Sequence, residues 1–104
     1  MGDAYRLIIA PEASADLTMI HAYISQDSPG NAAKVVGRIL RGIETLKVFP
    51  HRTVLEHQSR KIRFPVRSVP VRPYVIFFRV LDDEQVVRIL TIRHGARRRP
   101  RRFG

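Results

Sequence analysis

Between Pro11 and Ser25 the apolar residues Ala13, Leu17, Ile20 and Ile24 recur at intervals of four, three and four, which lines one side of a helix. Asp16 falls near the positive end of that helix dipole. Asp27-Ser28-Pro29 then supplies a capping side chain and a proline at the first helical position, a start signal for a second helix. Its stripe is Ala32, Val36, Ile39, Ile43 and Leu46, widened by Ala33 and Leu40, and it runs to about Val48 before Phe49-Pro50 stops it. The short connection predicts an antiparallel helical hairpin with both apolar faces turned the same way. Gly37 and Gly42 each cost about 1 kcal/mol of helix propensity, and the pattern leaves open whether a close neighbour requires them.

The rest of the chain reads as strand and loop. Residues 5–9 (YRLII) predict a short strand closed by Ala10-Pro11, whereas residues 51–65 have no clean period and read as loop or helix extension. Val66 to Val71 is a candidate strand in which Pro70 argues for an edge position or a bulge, because proline cannot donate to a ladder. Tyr74 to Leu81 and Val86 to Ile92 are dense β-forming runs joined by a polar reversal over Asp82 to Gln85, so these strands form an antiparallel meander. Alternation puts Tyr74, Ile76, Phe78 and Val80 on one side and Val75, Phe77, Arg79 and Leu81 on the other. Tyr74, Phe77 and Phe78 lie in the most apolar stretch and read as core rather than as a base-stacking platform. The order β-α-α-β-β-β predicts a single α+β domain over residues 1–104, with the hairpin on one face of an antiparallel sheet and the other face partly open.

Charge changes this picture. Of 19 basic residues 16 are arginine; residues 1–58 hold 6 basic and 6 acidic side chains, whereas residues 59–104 hold 13 basic and 3 acidic, so one half carries the whole formal +10. Arginine's planar fork suits phosphates, carboxylates and base edges, so the basic half predicts a surface for nucleic acid or an acidic protein. The run from about residue 96 is so charged that it predicts a flexible arginine-rich tail. With 104 residues, 44% of them apolar, the chain can bury a core without staples, and the absence of cysteine excludes disulfides, zinc–thiolate sites and thiol chemistry. The apolar run near the N-terminus is too short for a signal or membrane segment, which makes cytoplasm the expectation.

Phosphate-loop, H-E-x-x-H and G-x-S-x-G motifs are missing, and His21, His51, His57 and His94 lack metal-ligand spacing, so no metal or cofactor is expected. Arg67, Arg72, Arg79 and Arg93 sit on or beside strands, where the backbone positions them to hold phosphate or developing negative charge. His94 follows the last strand beside the basic cluster; it reads either as an acid or base or as a residue that ends the strand before Gly95.

The ordered set of Ala13-Ser14-Ala15-Asp16-Leu17, Ile20 to Ile24, Ser28-Pro29, Ala32-Ala33, Ile39 to Ile43, Phe49-Pro50, Arg67…Val71…Tyr74 to Phe78 and Val87 to Leu90…Arg93-His94-Gly95-Ala96-Arg97 resembles the RelE/ParE toxin superfamily of bacterial type II toxin–antitoxin modules, nearest its ParE branch. The resemblance implies a growth-arresting toxin neutralised by a cognate acidic antitoxin, in a heterotetramer or larger assembly. A ParE-like member implies inhibition of DNA gyrase by stabilising its cleaved DNA complex, without chemistry of its own, and target contacts through Arg67, Arg72, Arg79, Arg93, Arg97, Arg98 and Arg99. A RelE-like member instead implies ribosome-dependent cleavage of messenger RNA, with Arg67, Arg72, Arg93 and His94 as catalytic candidates. Against the RelE branch, no tyrosine follows the last strand, and lysine is scarce; the His94 to Arg98 ending favours the gyrase reading. A third possibility is a non-toxic arginine-rich nucleic-acid-binding adaptor.

Overall fold

Proline sets both helix starts. In a computed structural model of the chain, which describes residues 4–59 and 62–95, α1 spans Pro11–Ser25 and α2 spans Pro29–Glu44. The Ser28 hydroxyl accepts a hydrogen bond from the Asn31 amide at 3.2 Å, satisfying one of the donors a helix N-terminus leaves unpaired. A 3₁₀ turn over Thr45–Lys47 continues α2, and Phe49 then breaks the path in a left-handed conformation with φ 50°.

Five strands follow or precede the hairpin: β1 (Arg6–Ile9), β2 (Val54–Ser59), β3 (Ile62–Val71), β4 (Tyr74–Leu81) and β5 (Val86–His94). Their spatial order is β1-β5-β4-β3-β2. Neighbours from β2 to β5 pair antiparallel, but β1 runs parallel to β5, with Arg6 opposite Val86 and Ile9 opposite Ile89. The sheet is therefore mixed rather than wholly antiparallel. The helical hairpin between β1 and the rest acts as the crossover that a parallel pairing needs.

Part of the stretch expected as loop is strand. Residues 54–59 form β2 and β3 begins at Ile62, so an additional strand precedes the predicted meander. Pro70 is in β3, between two strands rather than at the sheet edge, yet its missing amide disrupts no pairing with β2. That pairing starts at Val54 opposite Ser68, and Pro70 lies beyond it.

The alternation along β4 holds. Tyr74, Ile76 and Phe78 join Ala13, Ile39, Ile43, Leu46, Val87, Ile89 and Ile92 in the core under the helices. Each of the larger of these side chains contributes roughly 1.5–3 kcal/mol by leaving water. Gly42 lets α2 close on the sheet: a Cβ there would lie 2.6 Å from Val71 Cγ2. The far face is less open than the pattern implies. Val66, Phe77 and Leu90 are buried there, with Phe64 and Val75 packed against them.

Candidate functional site

The β4–β5 pairing builds one end of the sheet. Tyr74 stands opposite His94 and Val75 opposite Arg93, while the β3–β4 turn at Arg72-Pro73 receives the Gly95 amide on the Pro73 carbonyl at 2.6 Å. Arg72, Arg93 and His94 thus converge at this end, although they are up to 22 residues apart in sequence. The Arg72 carbonyl is itself fixed by Arg38, whose Nη2 donates to it at 2.6 Å.

His94 meets the Tyr74 ring edge-on, with centroids 5.5 Å apart. Both line a cleft of about 520 Å³ between α1 and β5, together with Asp16, Met19, Ile20, Tyr23, Ile92 and Arg93. Met19 and Tyr23 are largely exposed at its rim. Arg93 is partly neutralised by Glu12, whose Oε1 lies 3.7 Å from its Nη2.

Asp16 secures the cleft wall. The register of β5 against β4 slips by one residue at Leu90, with Phe78 opposite Ile89 and Phe77 opposite Thr91. β1 has ended by then, so the side of β5 that faces away from β4 has no strand beside it. Asp16 Oδ2 takes over, accepting from the Ile92 amide at 2.9 Å and the Thr91 hydroxyl at 2.7 Å.

Arg67 is placed elsewhere. Its Nη1 donates to the carbonyls of Thr53 at 2.9 Å and His51 at 3.2 Å, which ties β3 to the start of β2. The structure therefore does not bring Arg67 to the cluster of Arg72, Arg93 and His94. Close by, Asp82 Oδ1 accepts from the Tyr5 hydroxyl and pairs with His51 Nε2, both at 2.8 Å. Those bonds, His51 first, hold the Asp82 carboxyl below its ordinary range, and the bond to Asp82 raises the Tyr5 hydroxyl.

Arg79 projects from the far face, as its parity requires, and its guanidinium lies 4.0 Å over the Phe64 ring. Directly across from it on β5 stands Arg88. Arg88 was absent from the candidates drawn from sequence; continuing the alternation from β4 into its hairpin partner is the signal that finds it. Arg97, Arg98, Arg99 and the tail from about residue 96 lie outside the described residues. Among the described residues no helix is long and apolar enough to cross a membrane.

Comparison with known proteins agrees with this architecture. Residues 7–99 match the family model described as the ParE toxin of the type II toxin–antitoxin system parDE. The chain is 38% identical over 85 residues to Toxin RelE2 of Caulobacter vibrioides, covering 82% of this chain and 89% of that protein. In fold it is similar to a chain of the chromosomal ParDE system from P. aeruginosa, with a TM-score of 0.69 and 24% identity over 88% of this chain and 96% of that one. It is also similar to one from the RelBE2 toxin–antitoxin complex of Mycobacterium tuberculosis, with a TM-score of 0.63 and 20% identity over 93% and 98%.

Proposed function

The chain belongs to the ParE toxin family, within the RelE/ParE superfamily of type II toxin–antitoxin systems, and from that premise we propose that it arrests growth by cutting messenger RNA in the RelE manner. The observation that carries this reading is the meeting of Tyr74, His94 and Arg93 at one cleft, with Arg72 at the same sheet end. No tyrosine follows the last strand, but β4–β5 pairing supplies one in space. The likeness to Toxin RelE2 supports the same reading.

The chemistry asked of the site is modest. An RNA 2′-oxygen attacks the adjacent phosphorus, the bond from phosphorus to the 5′-oxygen breaks, and the products end in a 2′,3′-cyclic phosphate and a 5′-hydroxyl. His94 takes the 2′-hydroxyl proton or delivers one to the leaving oxygen, since imidazole is suited to proton transfer at neutral pH. Arg93 and Arg72 stabilise the charge that builds on the phosphorane. Tyr74 orients the imidazole by packing against it.

The partner we infer is a cognate antitoxin, acidic enough to complement the formal +10 and apolar enough to cover exposed residues such as Met19, Tyr23 and Leu40. The two solved relatives come from ParDE and RelBE2 systems.

The test is message cleavage on programmed ribosomes by the full-length chain, with cut sites mapped by primer extension. Cleavage is expected, and His94→Ala should slow it by about 10²–10⁴-fold, the range general acid–base catalysis contributes. Intact message with folded protein would refute the nuclease reading.

A second reading, a gyrase poison, is favoured by the family model's ParE description and by Glu12 drawing charge from Arg93. Trapped linear plasmid in a gyrase cleavage reaction, unaffected by His94→Ala, is the result that would put it first.

A further inference from the structure

We propose that Arg79 and Arg88 form a phosphate anchor for a single-stranded nucleic-acid backbone lying across the far face of the sheet, apart from the His94 end. The two residues are directly opposed on β4 and β5 and share a face with Phe77 and Leu90. Opposed residues have Cβ atoms about 5 Å apart, and like charges in that position oppose folding. The arrangement carries a second penalty. Arg79 Nε is buried with no hydrogen-bond partner, and a buried donor left unpaired is unfavourable.

Nothing in the described structure relieves either penalty. The ion pairs among the described residues join Lys47 to Glu44, His51 to Asp82 and Arg93 to Glu12, leaving Arg79 and Arg88 without a carboxylate. The Phe64 ring covers one face of the Arg79 guanidinium, which fixes the plane of the fork and directs its N–H groups sideways toward an anion. An anion bridging both arginines removes the like-charge repulsion and offers an acceptor near the orphaned Nε.

Beyond the arginine pair the far face runs on as an apolar strip that an extended single strand can follow. Four residues back along β4 from Arg79, Val75 lies about 14 Å away on the same face at roughly 3.4 Å per residue. Along this stretch the described residues of the face are Val75, Phe77 and Leu90, with no carboxylate among them. A strand of a few nucleotides spans that distance, with a phosphate at the arginine pair. The proposal rests on the reading that the target contains nucleic acid, but not on cleavage by His94.

The experiment measures binding of the full-length chain to a fluorescein-labelled oligouridylate with 2′-O-methyl groups, which cannot be cut by 2′-oxygen attack. Each lost phosphate contact lowers the slope of log affinity against log salt by about 0.7 for single strands. R79Q/R88Q should therefore lower the slope by about 0.7–1.4 and weaken low-salt binding about tenfold. Arg41→Gln, an exposed charge on α2, should change neither by that much. An unchanged slope in folded R79Q/R88Q overturns the proposal, as does a loss confined to binding of a polyglutamate peptide. Should the double variant fail to fold, the wild-type Arg79 Nε–H resonance decides: it should shift on adding the oligomer, and an unmoved signal at saturation overturns the anchor. No message cleavage by the wild type with the slope dependent on Arg79 and Arg88, or cleavage with a slope independent of them, separates the fate of the nuclease reading from that of the anchor.

Discussion

Replacing Asp16 with alanine should loosen the end of β5 on which the cleft depends. Asp16 Oδ2 accepts two hydrogen bonds, from the Ile92 amide at 2.9 Å and from the hydroxyl of Thr91, which is 1% exposed. Hydrogen bonds to a charged group are worth about 1.5–3 kcal/mol each, and water can reach part of this site, so the lower end of the range applies. The loss for Asp16→Ala is then about 3 kcal/mol. Asp16→Asn keeps a carbonyl acceptor but loses the charge, and about half that loss is expected. Against a total stability of roughly 5–15 kcal/mol, the alanine change is large and corresponds to a fall in Tm of about 10–20 °C. Urea unfolding of the purified chain measures it, with an unchanged m-value showing that stability rather than the extent of unfolding has moved. An alanine variant within about 0.5 kcal/mol of the parent would refute the reasoning, because Thr91 and Ile92 must then find other acceptors at no loss.

The two helix glycines should respond in opposite directions. Gly42→Ala drives a Cβ to 2.6 Å from the stiff Val71 side chain and should destabilise by about 1–3 kcal/mol, whereas Gly37→Ala meets only Arg41 Nη1, at 3.4 Å, and should stabilise by about 0.5–1 kcal/mol; paired urea midpoints check both. The Asp82 cluster should give stability a pH dependence at both extremes. Because the folded-state value of Asp82 is depressed, mainly by His51 and then by Tyr5, its contribution is present above the ordinary value of 3.8 and lost as pH falls through the lower folded value. Tyr5 is raised by its bond to Asp82, so its contribution is present below 10.0 and lost as pH rises through the higher folded value. The stability gap between wild type and Asp82→Asn should therefore narrow below about pH 3.8, and that for Tyr5→Phe above about pH 10; gaps that stay constant across those windows count against the cluster.

The helices were legible because each repeats its apolar stripe over four turns. The start of α2 was legible because Ser28-Pro29 is a local signal, realised as the Ser28 cap on Asn31. β2 was not legible. It is an edge strand whose pairing slips twice, between Leu55 and His57 and again before Ser59, so alternation never develops. The parallel direction of β1 was equally hidden, since four residues with a strand-like composition do not encode which neighbour they meet or in which sense. Side-chain parity along β4, by contrast, follows from the period of two once the strand is recognised, and it placed Tyr74, Phe77, Phe78 and Arg79 correctly.

The candidate site divides along the same physical line. Arg67 is placed apart from Arg72, Arg93 and His94 because its Nη1 bonds to carbonyls 14 and 16 residues away, and that closure depends on the fold rather than on local pattern. Tyr74 and His94 are 20 residues apart and become neighbours only through hairpin register. Arg88 emerges the same way, as the residue opposite Arg79. Most of the chain obeys local rules: charges balance along the helical half, β-formers fill the sheet, and the amide left without a strand partner at Ile92 is met by Asp16. Arg79 and Arg88 break two of those rules together, placing like charges opposite each other and burying a donor without an acceptor. Such local violations concentrate where binding supplies what folding lacks, which is the physical reason to look for the target's phosphate at that pair.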